Sequence, residues 1–282
     1  MSSPRRTFLQ QAAAASAALA LAPRLAAEPS GTSSDRDLHE LRCYRLKAET
    51  RLRADADPAA LDSFLEHALL PALDRLGLRD VGVFSELDVQ KDTATWTPKQ
   101  GSPVWVLITH RTLDSFLHVS AELLSDPAVQ AAGATHLQAP ASSPGFERID
   151  CWLYRAFRGL PRLEVPAFSR SRAPGRIFEM RDYESHSEVK ALNKMAMFDD
   201  GEIALMKDLG MHPVFFGQAL AGPDLPHLRY ITCGPDLASH LAAWGKFGPD
   251  PRWAAMRDDP RYAGNVSRNT PRFLAPKAYS AI

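Results

Sequence analysis

The sequence has little that would indicate a covalent scaffold, a charged partner or a membrane. Three cysteines in 282 residues are too few for a disulfide-built fold. Lys plus Arg equals Asp plus Glu, at 33 each, so no net charge favours nucleic acid or an anionic surface. The long apolar stretch, residues 12–22, is shorter than the roughly 20 apolar residues of a membrane helix. The remaining composition is that of a globular protein.

Motifs of nucleotide, hydrolase and metal chemistry are also missing. The chain has no Gly-rich phosphate loop and no G-x-S-x-G. Its nine histidines form neither a close pair on a helix nor a Cys/His motif. We interpret His67 as a surface residue and His110 as a strand-end residue, and we assign no metal and no cofactor.

The first 27 residues have the pattern of an export signal rather than of a folded element. Arg5 and Arg6 are followed by Phe8 and Leu9, then by an Ala/Leu-rich stretch and small residues. This order is similar to the twin-arginine signal of bacteria. We therefore expect the twin-arginine export machinery as a partner, a periplasmic or secreted location, and no stable membrane span after cleavage. A retained anchor or an ordinary Ala-rich helix is the alternative, and the cleavage site stays open.

Two short stretches indicate an internal repeat. "ELRCY" at residues 40–44 returns as "EMRDY" at residues 179–183. After a flexible leader, residues 28–37, the chain divides into residues 38–158 and 176–282. The segment between them, residues 159–175, is rich in Pro, Gly, Ser and Arg and is typical of a linker.

Each half is predicted to run β-α-β-β-α-β. In the first half, apolar residues at steps of three and four predict a helix from Pro58 to Gly77, kinked at Pro71. Alternating β-branched and aromatic residues predict the strands around it, and residues 104–110 are the clearest case. This order is the ferredoxin-like arrangement, whose sheet has helices on one face. We therefore expect an α+β fold in which two units pack sheet to sheet as an intramolecular barrel, a monomeric pseudo-dimer.

The quoted strands, with the helix "FLEHALLPALDRLGL" and the stretch "LMKDLGMHPVFF", resemble the NIPSNAP family. The resemblance covers both halves and implies the fold of the dimeric α+β barrel proteins. It implies little about activity. It therefore identifies two tandem NIPSNAP-like domains without identifying a reaction.

The alternation of polar and apolar residues in the first strand of each half suggests candidate site residues. Alternate residues of a strand share a face, and we expect the apolar set to face the helices. The polar set should then point into the barrel, where charges must be paired or solvated. The candidate ligand-binding residues are Glu40, Arg42, Tyr44, Glu179, Arg181 and Tyr183. The alternative is that Glu and Arg pair with each other and only fix how the sheets meet.

Cys43 and Cys151 are a possible disulfide. They lie on the first and fourth strands of the first unit, which are antiparallel neighbours in a ferredoxin-like sheet, and we expect both on the helix side. Two separate thiols are the alternative, because register decides whether the Cα atoms are close enough. Cys233 is unpaired in both cases.

The function predicted from these observations is binding of a small, largely apolar molecule between the two sheets. A cofactor-independent enzyme, similar to the monooxygenases and lyases with related barrels, is the second possibility, with an interior Glu or Tyr as acid–base group. A structural or interaction module with a packed barrel is the third. Binding and catalysis need a cavity of a few hundred Å³, whereas the structural module needs none.

Overall fold

The computed structural model describes residues 35–46 and 58–282. The predicted export signal and residues 28–34 of the leader lie outside the described residues. Residues 34–282 form one compact unit, so both halves of the repeat belong to the same body.

Nine strands are present in this part of the chain. In chain order they are β1 (Leu38–Arg45), β2 (Gly82–Gln90), β3 (Thr95–Pro98), β4 (Val104–His110), β5 (Arg148–Ala156), β6 (Ile177–Glu184), β7 (Pro213–Ala221), β8 (His227–Gly234) and β9 (Arg268–Pro276). The predicted strand at residues 104–110 coincides with β4. A short additional strand, β3, lies between β2 and β4 and pairs with the end of β2.

Two long helices contain a π-helical segment, and the other helices are continuous. The helices are α1 (Pro58–Phe64, π Leu65–Leu69, then Leu70–Arg75), α2 (Leu113–Ser125), α3 (Pro127–Ala132), α4 (Ala134–Leu137), α5 (Ala167–Arg170), α6 (Glu188–Met197, π Phe198–Glu202, then Ile203–Asp208), α7 (Leu237–Phe247) and α8 (Pro251–Arg257). A 3₁₀ turn covers Pro260–Tyr262.

The π-helical segments lie at equivalent places in the two halves. Each begins the same number of residues before a Leu-Gly pair, Leu76-Gly77 and Leu209-Gly210. Both glycines have a φ of 81°, the left-handed conformation that ends a helix and suits glycine best. Pro71 follows the first π segment, whereas the second contains Gly201 and has no proline nearby. Proline alone therefore does not explain the π-helical segments. They are a feature that both halves of the repeat share.

Eight of the strands close into an antiparallel barrel. Their order is β2-β4-β1-β5-β7-β8-β6-β9, and β9 pairs back onto β2. Each half contributes four neighbouring strands in the ferredoxin-like order, which confirms the predicted α+β barrel. The halves join edge to edge through two hydrogen-bonded seams, β5–β7 and β2–β9, so the barrel has no open seam.

Alternate residues of each strand lie on the same face, and the residues of one face fill the barrel interior. Buried apolar side chains inside it include Leu41, Cys43, Phe178, Met180 and Ile231. The opposite set packs beneath the helices in two outer cores, one for each half. Both faces of the barrel wall are therefore buried, because helices cover the outside while side chains fill the inside.

This arrangement reverses the predicted orientation of the first strands. Tyr44 packs with the helix α1 core and Tyr183 with the α6 core. Glu40, Arg42, Glu179 and Arg181 share those outer faces by strand parity, and the prediction that they face the interior is wrong. The inner face of the barrel wall is more fully enclosed than the outer face, so the apolar residues of these strands lie on it. The polar set lies where helix side chains can pair with it.

One end of the barrel is closed by the segment between the halves. Leu163, Val165 and Phe168 pack against the interior cluster. Asp37, which is fully buried, accepts a hydrogen bond from the backbone nitrogen of Leu163 at 2.9 Å and fixes the segment to the start of β1. The barrel therefore has one closed end and one open end.

Candidate functional site

The inward residues change from apolar to charged towards the open end of the barrel. Along β6, Met180 is followed on the same face by Asp182, and along β8, Arg229 precedes Ile231 on the inward face. Along β2, Phe84 is followed by Glu86. The interior is therefore mostly apolar and packed towards the closed end and polar at the open end.

A cavity of about 620 Å³ occupies this open end. We call it the barrel mouth. Its charged lining residues are Arg45, Glu86, Glu147, Arg148, Asp150, Asp182, Glu184, Asp224, Arg229, Arg268 and Arg272, and its aromatic ones are Trp105 and Trp152. This volume is typical of small-molecule sites. Such sites are usually lined mainly by apolar side chains, whereas charged residues dominate here. The predicted largely apolar pocket is therefore replaced by a polar one.

Arg229 lies at the base of the barrel mouth and is buried. Its Nη2 donates to Asp182 Oδ2 at 3.0 Å, and its Nε donates to Asp182 Oδ1. Arg272 Nη1 donates to the same Oδ2 at 2.5 Å. Burial alone would raise the pKa of Asp182, but the two arginines outweigh it and lower that pKa, so the carboxylate is ionised.

One nitrogen of Arg229 is left without a partner. Its Nη1 is buried and has no hydrogen-bond acceptor among the residues that the structure describes. The guanidinium lies 4.4 Å from the ring centroid of Trp152 and 5.4 Å from that of Trp105. The arginine is therefore held by one carboxylate and the indoles, while its Nη1 has no partner in the described part of the chain.

Glu86 is the second buried carboxylate of the barrel mouth. It accepts from Trp105 Nε1 at 3.0 Å and from Lys99 Nζ at 2.5 Å. Arg272 Nε is 3.7 Å from Glu86 Oε1, so this arginine lies between the two carboxylates. The ion pairs fix the walls of the site.

The predicted site residues of the first half form a cluster outside the barrel. Glu40 Oε1 accepts from Arg42 Nε at 2.5 Å, and Glu40 Oε2 is 3.1 Å from Nε2 of His110, which is fully buried. Burial would raise the pKa of Glu40, but the hydrogen bond from His110 and the charge of Arg42 lower it. His110 was predicted only as a strand-end residue, but it is also the hydrogen-bond partner of Glu40.

The second half repeats this cluster with a different histidine. Glu179 Oε1 accepts from Arg181 Nε at 2.8 Å, while its Oε2 is 2.8 Å from His240 Nε2 on α7 and accepts from Trp244 Nε1 at 2.5 Å. Burial would raise the pKa of Glu179, but the His240 hydrogen bond and Arg181 lower it. Glu179 and Arg181 line a smaller cavity of about 330 Å³ beneath α7.

Cys43 and Cys151 are not bonded in the structure. The register places Cys151 opposite Arg42 and Cys43 opposite Asp150, so the two thiols lie on opposite faces of the sheet. Cys43 lines the barrel mouth, whereas Cys151 Sγ is 3.6 Å from Glu40 Oε1 on the outer face. The predicted shared helix-facing side was wrong for Cys43, for the same reason as for its strand neighbours.

Two further observations concern the described residues. No three or more His, Cys, Asp or Glu side chains there are grouped so that they could hold a metal ion. None of the helices in residues 35–46 and 58–282 has the length and apolar composition needed to cross a membrane.

Comparison with known proteins concerns mainly the second half of the chain. Residues 178–281 match the NIPSNAP family model. The NIPSNAP match therefore covers β6 to β9 and the helices between them, and it supports the predicted family for this half. A similar assignment for residues 38–158 remains a prediction that depends on the repeated strand order. No curated protein matches the chain.

Solved structures resemble the chain at low sequence identity. A candidate monooxygenase from Fusobacterium nucleatum is 7% identical, covers 86% of this chain and 92% of its own, and has a TM-score of 0.52. A NIPSNAP family protein from Agrobacterium tumefaciens is 20% identical over 37% of this chain and 96% of its own, with a TM-score of 0.34. A haem-binding protein from Thermus thermophilus is 13% identical over 87% and 93%, with a TM-score of 0.43. The first of these supports the α+β barrel fold.

Sequence reasoning missed the charged residues of the barrel mouth. The sequence does contain a relevant pattern, because Asp182 follows the apolar Phe178 and Met180 at steps of two, and Arg272 precedes Leu274 by two. A charge that ends an apolar alternation at the same end of several strands indicates an open barrel end. Trp105 and Trp152 also line the barrel mouth.

Proposed function

We propose that the protein binds a small molecule in the barrel mouth. The cavity of about 620 Å³ lies within the usual size range of ligand sites. It is a feature that a purely structural barrel does not need. The proposal keeps the predicted binding function but moves the site to the open end and changes the expected ligand from a largely apolar molecule to one with a polar group.

The observation that carries the proposal is the free donor of Arg229. Buried polar groups in proteins almost always have a partner, and an unpaired one costs about 1–3 kcal/mol or more when charged. Arg229 Nη1 is buried, has no partner among the described residues, and belongs to a side chain that lines the cavity. A bound acceptor would complete its hydrogen bonding.

The same geometry favours binding over acid–base catalysis. The buried carboxylates of the barrel mouth, Asp182 and Glu86, are both held in ion pairs. Tyr154 Oη is 3.1 Å from His227 Nε2, but the tyrosine is fully buried and burial raises its pKa. A general acid or base needs a pKa near the working pH and contact with the substrate. The pKa of Asp182 is lowered and that of Tyr154 is raised, so neither group meets the first requirement.

The direct test is native mass spectrometry of protein purified from its own host. We expect a mass of one chain plus a small molecule, because both barrel seams close within a single chain. Arg229→Lys, which keeps the charge but loses the forked group, should release the molecule. The control is Arg79→Gln, a change at a largely exposed arginine that pairs with Asp74. An empty wild-type protein, or equal retention by Arg229→Lys, would contradict the proposal.

We also propose that the chain is exported through the twin-arginine route. The support is the order of Arg5, Arg6, Phe8 and Leu9 ahead of an Ala/Leu-rich stretch. Replacing both arginines by lysine keeps the charge but removes the pattern, so the unprocessed precursor should accumulate inside the cell. Fractionation followed by N-terminal analysis measures this. Unchanged export of the double variant would rule out the twin-arginine route.

A further inference from the structure

We propose that a groove beside helix α6 binds a small amphiphilic anion, an aliphatic chain whose head group is an oxyanion such as a carboxylate. The groove follows the strand seam β5–β7 in the second half of the chain. Its lining residues are different from those of the barrel mouth, so this second site does not depend on ligand binding there. The support is the shape of the groove and the separation of charge from apolar surface along it.

One face of α6 lines two neighbouring cavities. Their volumes are about 250 and 200 Å³, and both are lined by Leu192, Met195 and Gln218, so they form one continuous groove. The α6 residues along it recur at steps of three and four, which places them on one side of the helix. They are Glu188, Ala191, Leu192, Met195, Ala196 and Asp199. Together the two parts reach the size of a small-molecule site, about 300 Å³ or more.

The part of the groove near the β7–β8 hairpin is apolar. Leu192 of α6 lines it together with Leu225 and Pro226 of the hairpin loop. Leu192 is 52% exposed and Leu225 is 48% exposed, so both present apolar surface to solvent. Glu188 is a carboxylate at this end, while His227 is neutral because burial lowers its pKa to about 4. An aliphatic chain bound here would remove apolar surface from water.

The other end of the groove is basic. Arg36, Arg155 and Arg158 line it, with Asp199 as the carboxylate, so positive charge is in excess there. Burial lowers the pKa of Arg36, and repulsion from Arg155 and Arg158 lowers it further, so the three guanidinium groups are close enough to repel one another. Arginine nevertheless stays protonated. A bound anion would relieve this repulsion.

Each of the three arginines is positioned by one hydrogen bond. The contacts are Arg36 Nη1 to the carbonyl oxygen of Ala156 at 3.2 Å, Arg155 Nη2 to Gln218 Oε1 at 3.1 Å, and Arg158 Nε to Asp199 Oδ2 at 3.4 Å. A guanidinium has five N–H donors, so these contacts leave further donors for a ligand. Hydrogen bonds between a guanidinium and an oxyanion are charge-assisted and roughly twice as strong as neutral ones.

The first half of the repeat offers an internal comparison, because the chain after β9 corresponds to the chain after β5. The backbone nitrogen of Lys277 donates to the oxygen of Val83 at 2.8 Å, and that of Phe157 donates to Phe216 at 2.9 Å. Val83 and Phe216 lie the same number of residues after the Leu-Gly pair of their half. Lys277 and Phe157 therefore occupy equivalent places.

Two residues further on, the first half has Tyr279 and the second half has Gly159. Tyr279 Oη donates to Asp62 Oδ1 at 2.6 Å, so the tyrosine reaches across to α1. Asp62 is the counterpart of Met195, since each lies the same number of residues before its Leu-Gly pair. Glycine has no side chain that reaches α6. The space that Tyr279 fills beside α1 therefore stays open beside Met195.

Octanoate, octanamide and octylamine are matched probes of the basic end. They share an aliphatic chain and carry a negative, no and a positive charge, and isothermal titration calorimetry of the purified protein measures their affinities. We expect octanoate to bind about fivefold to tenfold more tightly than octanamide, with octylamine weakest. Hexanoate probes the apolar part. It has two methylenes fewer and should bind about tenfold more weakly than octanoate.

Two variants assign the binding to this groove. Arg155→Gln combined with Arg158→Gln leaves one cation against one carboxylate, so the preference for octanoate over octanamide should disappear. The control is Arg79→Gln, because the side chains of Arg79 and Arg158 are both 77% exposed. Leu192→Asn should reduce the preference for octanoate over hexanoate. Its control is Val189→Asn, since Val189 is 75% exposed on the same helix and does not line the groove.

The expected result is that only the two groove variants lose their respective preferences, while circular dichroism shows that all four are folded. Equal affinities of the wild type for octanoate and octanamide would overturn the proposal, as would unchanged preferences in both groove variants. Sedimentation with phosphatidylglycerol vesicles tests a membrane surface as the occupant. Binding to these vesicles without binding of octanoate at about 10 mM would also overturn the proposal.

Discussion

At the scale of single residues, His39 is a buried titratable side chain of the barrel interior. It lies on β1 near the closed end, is fully buried, and its Nδ1 is 3.0 Å from Thr109 Oγ1. Burial lowers the pKa of His39 to about 4, although Asp37 acts in the opposite direction. The folded protein therefore keeps this ring neutral at pH values where the unfolded chain protonates it.

Stability should consequently fall on acidification below the pKa of an unfolded-state histidine, about 6.5. His39 and His227, whose pKa burial also lowers to about 4, both contribute stability above that pH and lose it as the pH falls towards 4. For one such histidine the loss between pH 7 and pH 5 is about 2 kcal/mol. Urea unfolding at the two pH values measures it.

His39→Leu removes one of these titrating groups. We expect the loss of unfolding free energy between pH 7 and pH 5 to shrink by about 2 kcal/mol in this variant. The matched control is His67→Leu, because His67 is largely exposed on α1. An identical pH dependence in His39→Leu and the wild type would show that His39 does not titrate in this way.

At the scale of elements, the equivalent buried glutamates of the two halves, Glu40 and Glu179, have histidine partners from different kinds of element. In the first half His110, the last residue of β4, reaches Glu40. In the second half the partner of Glu179 is His240, which comes from α7. The last residue of β8 is Gly234, and a Cβ there would lie 2.8 Å from the Cβ of His240. The glycine therefore allows α7 to approach the sheet closely.

This close approach can be tested with two Gly→Ala substitutions. Gly234→Ala should destabilise the protein by about 1–3 kcal/mol, since the helix must shift and the Glu179–His240 contact lengthens. Gly245, inside α7, has open space where an alanine methyl group would lie, so Gly245→Ala should stabilise the helix by up to about 1 kcal/mol. Chemical unfolding gives both values. A neutral Gly234→Ala would show that α7 does not depend on this contact.

At the scale of the whole molecule, the closed barrel makes the two repeats one cooperative structure. The interior cluster takes side chains from both halves, and the two seams join them by backbone hydrogen bonds. We expect Leu41→Ala in the first half and Ile231→Ala in the second to lower one shared unfolding transition, each by about 2–5 kcal/mol. Two transitions, with each substitution affecting only one, would contradict a single cooperative unit.

The strand order could be predicted from sequence because alternation and turn residues are local. Residues 104–110 follow Pro103, and their predicted bounds match those of β4. The short β3 was missed, since its four residues are exposed and end in Pro98. Its pairing with β2 depends on the neighbouring strand rather than on its own sequence.

The inward face could not be predicted from the first strands alone. In β6 both parity sets are mostly buried, because the helices cover one face and the barrel encloses the other. Alternation then separates two faces without indicating which one is inside. The distinction depends on residues far apart in sequence, such as Asp182, Arg229 and Arg272, that meet only when the barrel closes.

The most direct test of ligand binding in the barrel mouth is a crystal structure of the protein purified from its own host. We predict a small organic molecule in the barrel mouth, with an oxygen within hydrogen-bond distance of Arg229 Nη1 and the Arg229–Asp182 pair intact. A barrel mouth that contains only water, or a molecule seated instead beneath α7 against Arg181 and Trp244, would contradict this prediction.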